Sequence, residues 1–103
     1  MTDFVLHPDA YADLDEIWEF IAAENQDAAD RVLEEIYQAI RTLVPFPQQG
    51  HHRSDLTSRP LRFRSVRDFL VAYAPEERPL VVIAVLHGRR SPRVIAAMLR
   101  DRP

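Results

Sequence analysis

The sequence predicts an α+β fold: an N-terminal strand, an antiparallel helical hairpin packed on a small antiparallel sheet, and a short C-terminal helix. Two observations support this prediction. Apolar residues recur at helical spacing from about residue 8 to residue 44, with one interruption at residues 25–27. Between residues 61 and 86 they instead alternate with polar residues or form short runs, as in strands. With 47 % apolar content, we expect residues 1–103 to form one domain with its own core.

The first half of the chain predicts one strand and two helices. Phe4–His7 has the pattern of a short strand, and Pro8 is favoured in the first turn of a helix. A second helix runs to Val44 and ends at the prolines that follow. Because the turn between the helices is short, they must pack antiparallel, with their carboxylates on a solvated outer face. The first helix has its apolar stripe, which we expect in the core, at Tyr11, Leu14, Ile17, Trp18 and Ile21.

The second half predicts a loop, three strands and a final helix. Residues 45–60 contain three prolines and a glycine, a composition typical of a loop. The last of the three strands is apolar on both faces, which indicates a central strand that is covered on both sides. The strands are expected at residues 61–66, 69–73 and 80–86, and the short helix at residues 92–102.

The charges of the chain are divided between its two halves. Residues 1–40 hold eleven acidic residues and one arginine, a net charge of −10, whereas residues 41–103 hold twelve arginines and five acidic residues, a net of +7. Such asymmetry indicates an anionic partner. All thirteen basic residues are arginine, so lysine chemistry is excluded, and the absence of cysteine excludes disulfides and thiolate sites.

Five arginines are candidates for a basic binding surface. Alternation along the first of the three strands places Arg62 and Arg64 on one face, with Phe63 on the other face towards the helices. We expect the two arginines to converge on an open sheet face or rim with Arg89, Arg90 and Arg93, which follow the last strand. Such a surface can hold a phosphate backbone or an acidic peptide. The alternative is that these arginines are simply solvated.

The histidines give weaker signals. His87 can act as a general acid near neutral pH, but no base lies at a fixed spacing from it, and a strand-end histidine bonded to backbone is the favoured interpretation. His51 and His52 are adjacent on a loop without a carboxylate cluster, so no metal site is expected. With two glycines the chain has no glycine-rich phosphate loop, and no cofactor is expected.

The sequence gives no sign of a membrane protein. Met1–Phe4 has neither the basic nor the apolar region of a signal peptide, and the longest apolar run, Leu80–Leu86, is too short to span a bilayer. We therefore expect a cytoplasmic location.

Several segments together resemble the ParE/RelE superfamily of bacterial toxins. Ala12–Ala22 is similar to the first helix of that family, and Ala28–Val32 to its hairpin. Phe69–Tyr73 resembles its middle strand and Val85–Arg90 its closing strand. The resemblance implies a toxin of a type II toxin–antitoxin module, a plasmid stabilisation protein paired with a small antitoxin that has a flexible C-terminal tail. Members of the RelE branch cut messenger RNA in the ribosomal A site, whereas members of the ParE branch poison DNA gyrase without nuclease chemistry.

The resemblance is closer to the ParE branch. The chain has no lysine, and Leu70 and Val71 follow Phe69 where the ribonucleases commonly carry an arginine after an aromatic residue. We therefore expect a gyrase inhibitor with no catalytic residues. The alternative is a ribosome-dependent nuclease that uses Arg64, His87 and Arg89. A third possibility is a degenerate member that only binds its antitoxin.

An antitoxin needs a docking groove. A helical hairpin on a sheet leaves a groove at the sheet edge, where a flexible tail can lie as a helix plus an added strand. The residues that we expect to line this groove are Trp18, Phe63 and Tyr73.

Overall fold

The computed structural model describes residues 3–103, so Met1 and Thr2, part of the N-terminal segment considered above, lie outside the described residues. The α+β prediction is confirmed, with the elements in the expected order. No helix within the described residues is long and apolar enough to cross a membrane. The elements are β1 (Phe4–Leu6), α1 (Pro8–Ala22), α2 (Gln26–Leu43), a 3₁₀ turn (Pro47–Gln49), β2 (Arg62–Val66), β3 (Phe69–Ala74), β4 (Leu80–His87) and α3 (Pro92–Arg100).

Each α-helix begins at a side chain that accepts a hydrogen bond from the first turn. His7 Nδ1 accepts from the Asp9 amide at 3.1 Å, and Asn25 Oδ1 accepts from the Ala28 amide at 3.0 Å. Ser91 Oγ accepts from the Val94 amide at 3.3 Å. These bonds satisfy amides that have no partner within the helix, so the helix starts are decided locally.

The sheet has the order β1-β4-β3-β2 and is mixed. The three later strands pair antiparallel as predicted, whereas β1 runs parallel to β4. The parallel pairing covers three residues only and ends at Leu6 opposite Val82, because His7 and Pro8 turn the chain into α1. Within residues 3–103, the part of β4 beyond Val82 therefore has no strand beside it on that edge.

Both faces of the sheet are covered. The helical hairpin packs on one face, where Leu14, Ile17 and Ile36 meet Val71 and Val85. The other face, which we expected to be open, is covered by α3 and by the loop before β2. A buried cluster on that side contains Leu56, Leu61, Leu70, Ala84, Leu86, Ile95 and Leu99.

The two faces of β2 are the reverse of the prediction. Arg62 is paired with Tyr73 and Arg64 with Val71, and directly paired residues project to the same face. Because Tyr73 and Val71 lie in the core under the hairpin, both arginines are on the hairpin side. Phe63 instead lies in the cluster under α3. Alternation correctly separated these residues, but it could not tell which face would meet the hairpin.

Hydrogen bonds from β2 and β3 hold the loop after α2. The buried Tyr73 hydroxyl donates to the Pro47 carbonyl at 2.6 Å and accepts from the Gly50 amide at 2.9 Å. Arg62 Nη1 donates to the carbonyls of Gln48 and Gly50 at 3.1 and 2.7 Å. Gly50 has no room for a side chain, since an added Cβ would lie 2.4 Å from the Tyr73 hydroxyl oxygen.

We expect the substitution Tyr73→Phe to lower the free energy of unfolding by about 1–3 kcal/mol, because it leaves the buried Gly50 amide without its acceptor. Urea unfolding followed by fluorescence measures this change. Tyr11→Phe, which removes the same atom from an exposed side chain, is the matched control and should have almost no effect. Equal stability of the two variants would contradict this account of the loop.

Candidate functional site: a groove beside β4

The five arginines of the expected basic surface form two separate groups. Arg62 is bound to the loop, and Arg64 is half-buried beside Glu35 and Thr42 of α2. The other three lie at the end of β4 and the start of α3, where Arg89, Arg90 and Arg93 are exposed. A single basic sheet face is not formed, because Arg62 and Arg64 are on the hairpin side of the sheet and the opposite face is covered.

The three residues of the alternative nuclease set line different depressions. Arg64 lies beside α2, His87 lies between α1 and α3, and Arg89 lies near the β2–β3 turn. The His87 ring packs against Phe69, with ring centroids 4.7 Å apart and an angle of 47°. Arg64 and His87 lie in separate depressions, so this arrangement does not place the Arg64 guanidinium and the His87 imidazole around the same phosphate group.

The expected groove residues have structural positions. Phe63 is 2 % exposed and Tyr73 is fully buried, in clusters on opposite faces of the sheet. Trp18 is half-buried, and its Nε1 donates to Asp30 Oδ1 at 2.9 Å, which links α1 to α2. Tyr11, expected in the core with Trp18, is exposed. The expectation of an accessible groove is therefore corrected for Phe63 and Tyr73, because burial in the sheet clusters leaves them almost no accessible surface.

A different groove lies between α1, the end of β4 and α3. Its volume is about 390 Å³. Its walls and floor are largely apolar and include Ile17, Phe20, Phe69, Leu86 and Met98. Phe20 is 78 % exposed, which is unusual for a phenylalanine beside an apolar depression. Glu16 contributes charge on the α1 wall and Arg90 on the opposite wall.

Phe20 was not among the site residues predicted from the sequence. The side chain lies three positions after Ile17 and so on the same side of α1, but it is outside the stripe that we assigned to the core. The sequence feature that could have identified it is a large aromatic residue outside the apolar stripe of an amphipathic helix.

The edge of β4 reaches this groove. The Val85 amide donates to Asp13 Oδ2 at 2.9 Å, and the Gly88 amide donates to the Asp68 carbonyl in the turn before β3 at 2.8 Å. Because backbone groups of an antiparallel strand alternate between its two sides, the Val85 carbonyl and the His87 amide also point away from β3. They are the groups with which an added strand would pair.

A side-chain pair closes the adjacent part of the same edge. Arg102 donates from Nη1 to Asp13 Oδ2 at 2.6 Å and from Nη2 to Asp13 Oδ1 at 2.8 Å. Arg102 Nη1 also donates to the Ile83 carbonyl at 3.2 Å. Ile83 lies at a bulge, since Tyr73 pairs with Val82 and Ala72 with Ala84. The hydrogen bonds to Asp13 raise the pKa of Arg102 above its ordinary value, and this guanidinium remains charged.

Asp13 was expected on the solvated face of the first helix, and the structure corrects this. Its side chain is 9 % exposed, and that of Arg102 is 12 % exposed. The apolar stripe of α1 gave no indication of this, because the partner guanidinium is 89 residues away in the chain.

Comparisons with known proteins agree with this architecture. A family model described as "ParE toxin of type II toxin-antitoxin system, parDE" matches residues 4–92. A solved chain of the chromosomal ParDE TA system from P. aeruginosa is similar in structure, with a TM-score of 0.69 and 17 % sequence identity. The match covers 84 % of this chain and 96 % of that chain. At this identity the likeness shows a shared fold. No curated protein matches the sequence.

We expect Asp13→Ala to lower the free energy of unfolding by about 3 kcal/mol, because the substitution leaves a buried guanidinium and the Val85 amide without their acceptor. Asp15→Ala, which removes an exposed carboxylate from the same helix, is the control and should change stability by less than about 0.5 kcal/mol. Chemical denaturation of both variants measures the difference. A double variant with Arg102→Ala should recover part of the loss, and no recovery would argue against the coupling.

Proposed function

The chain belongs to the ParE toxin family of type II toxin–antitoxin systems, and from this premise we propose that it inhibits DNA gyrase and that a cognate antitoxin neutralises it by docking in the groove beside β4. The observation that carries the docking proposal is the exposed Phe20 beside an apolar groove and an unpaired strand edge. The proposal treats residues 1–103 as one toxin domain.

The groove has the composition of a protein-binding site. An exposed phenylalanine beside the half-buried Met98 can be covered by an apolar side chain of the partner, which removes the exposed surface of both from water. Aromatic residues of this kind commonly supply a large share of binding energy when they become fully buried. We infer that the antitoxin places an apolar residue against Phe20.

The strand edge provides the backbone part of the interaction. A segment in extended conformation can pair with the Val85 carbonyl and the His87 amide, and such main-chain bonds add affinity without requiring a particular sequence. Arg90, which lines the groove at this edge, favours an acidic residue in the partner segment. A flexible antitoxin tail with alternating apolar and acidic residues fits both features.

The gyrase proposal is supported by the family and by the arrangement of the candidate nuclease residues. Arg64, His87 and Arg89 are distributed over three depressions, which favours a toxin that acts by binding. Among the five arginines of the expected basic surface, Arg89, Arg90 and Arg93 remain exposed and available for a target. Their role in this proposal is charge complementarity.

We expect Phe20→Glu to weaken antitoxin binding by about 10- to 100-fold, since it replaces the buried contact by a charge. Calorimetry with the purified antitoxin measures the dissociation constant. Phe46→Glu is the matched control, because Phe46 is 66 % exposed and lies after α2. If both variants bound the antitoxin as tightly as the unmodified chain, the groove would not be the docking site.

Purified toxin is expected to inhibit DNA supercoiling by gyrase, and His87→Gln should inhibit equally well because no proton transfer is involved. A supercoiling assay with plasmid DNA measures both. No inhibition at a large molar excess of toxin would contradict gyrase as the target. Cleavage of messenger RNA on translating ribosomes that is lost in His87→Gln would instead establish the nuclease alternative.

A further inference from the structure

A second pocket lies at the end of the molecule where β2 turns into β3 and β4 leads into α3. Its volume is about 350 Å³. Four arginines line it, and they come from three separate segments: Arg53 from the loop before β2, Arg67 from the β2–β3 turn, and Arg89 and Arg90 from the segment after β4. Arg90 lies between this pocket and the groove beside β4, and its Nη1 donates to Met98 Sδ at 3.1 Å. We propose that this pocket binds a phosphate of the backbone of duplex DNA.

Two of the guanidiniums are held in place by carboxylates. Arg53 donates from Nε and Nη2 to Asp55 at 2.9 and 2.8 Å. Arg67 donates from the same two nitrogens to Glu35 at 2.9 and 2.5 Å. Within the described residues, Nη1 of each guanidinium makes no hydrogen bond. Each arginine is therefore oriented by one end of its fork and keeps the other N–H groups for a ligand.

Asp68 brings the two turns together around the pocket. Its carbonyl accepts from the Gly88 amide at 2.8 Å, and its carboxylate forms an ion pair with Arg89 Nη2 at 3.2 Å. The neighbouring Arg67 has a φ of 53°, the left-handed conformation required by this tight hairpin turn. An added Cβ on Gly88 would lie 3.3 Å from the Asp68 carbonyl oxygen, so glycine allows this close approach.

The charges at this end of the molecule favour a polyanion. The pocket is lined by four arginines and by the carboxylate of Asp68, and the carboxylates of Asp55 and Glu35 lie beside Arg53 and Arg67, so the arginines remain in excess. Residues 1–40, in contrast, carry a net charge of −10. A nucleic acid is repelled by the helical hairpin and attracted to the pocket, which orients the encounter.

The absence of an exposed ring among the pocket's lining residues favours a duplex over a single strand. Single-stranded nucleic acids are bound largely by stacking of their bases on exposed aromatic side chains. The aromatic residue that lines this pocket, Phe69, is itself buried. The binding mode that remains is contact with the phosphate backbone, and such contact does not depend on the base sequence. The inference rests on the proposed function, because the duplex that the pocket would contact is the DNA bound by gyrase.

The test measures binding of the purified toxin to a fluorescein-labelled 20-base-pair duplex by anisotropy, in the absence of gyrase and antitoxin. The pocket variant is Arg53→Gln with Arg89→Gln. The control variant is Arg41→Gln with Arg78→Gln, which removes the same charge from exposed arginines on α2 and in the β3–β4 turn. Thermal unfolding of both variants confirms that they are folded.

We expect the pocket variant to lose at least 10-fold in affinity and the control less than threefold. The slope of log K against log salt should fall by about 0.9 in the pocket variant, as for one lost phosphate contact. Three outcomes would overturn the inference: no measurable binding of the duplex at low salt, equal losses in the two variants, or tighter binding of single-stranded RNA of the same sequence. The supercoiling assay keeps the two proposals apart. Gyrase inhibition by an unmodified chain that does not bind the duplex removes only this inference, whereas duplex binding without gyrase inhibition removes only the proposed target.

Discussion

The structure depends on how the outer edge of β4 is closed. β1 pairs with β4 over only three residues, and beyond that point the edge would expose backbone groups in the interior of the molecule. The buried pair of Asp13 and Arg102 closes it, because the carboxylate accepts from Val85 and the guanidinium donates to Ile83. One ion pair thus connects α1, strand β4 and the C-terminal segment after α3. Its members satisfy each other and the strand, which compensates for the cost of removing both charges from water.

Closure of the edge by side chains has a functional consequence. If a strand had paired with the whole length of β4, it would have filled the space between α1 and α3. The side chains of Asp13 and Arg102 instead cover only the middle of β4. The space that remains is the groove beside Phe20 and His87. The same feature that completes the fold therefore leaves open the groove that we propose as the docking site of the antitoxin.

The arginines of the second half have three different roles. Arg62 and Arg102 are bound within the structure, to the loop after α2 and to Asp13. Arg53 and Arg67 are fixed by carboxylates but keep part of their hydrogen-bonding capacity. Arg93 is exposed. Clustering of charge in a sequence therefore overestimates the basic surface, because the number of arginines available to a ligand depends on which carbonyls and carboxylates the fold places beside them.

The sequence by itself determined the element order and the approximate bounds of the helices and strands, because these depend on interactions between residues close together in the chain. His7, Asn25 and Ser91 cap the helices through contacts within one turn, and alternation separated Arg62 from Phe63. Only the tertiary structure decided which face of β2 meets the hairpin, since the two faces of a strand are equivalent until a helix packs on one of them. The burial of Asp13 was decided in the same way, because an isolated carboxylate favours water and stays buried here only through the guanidinium of Arg102 and the amide of Val85.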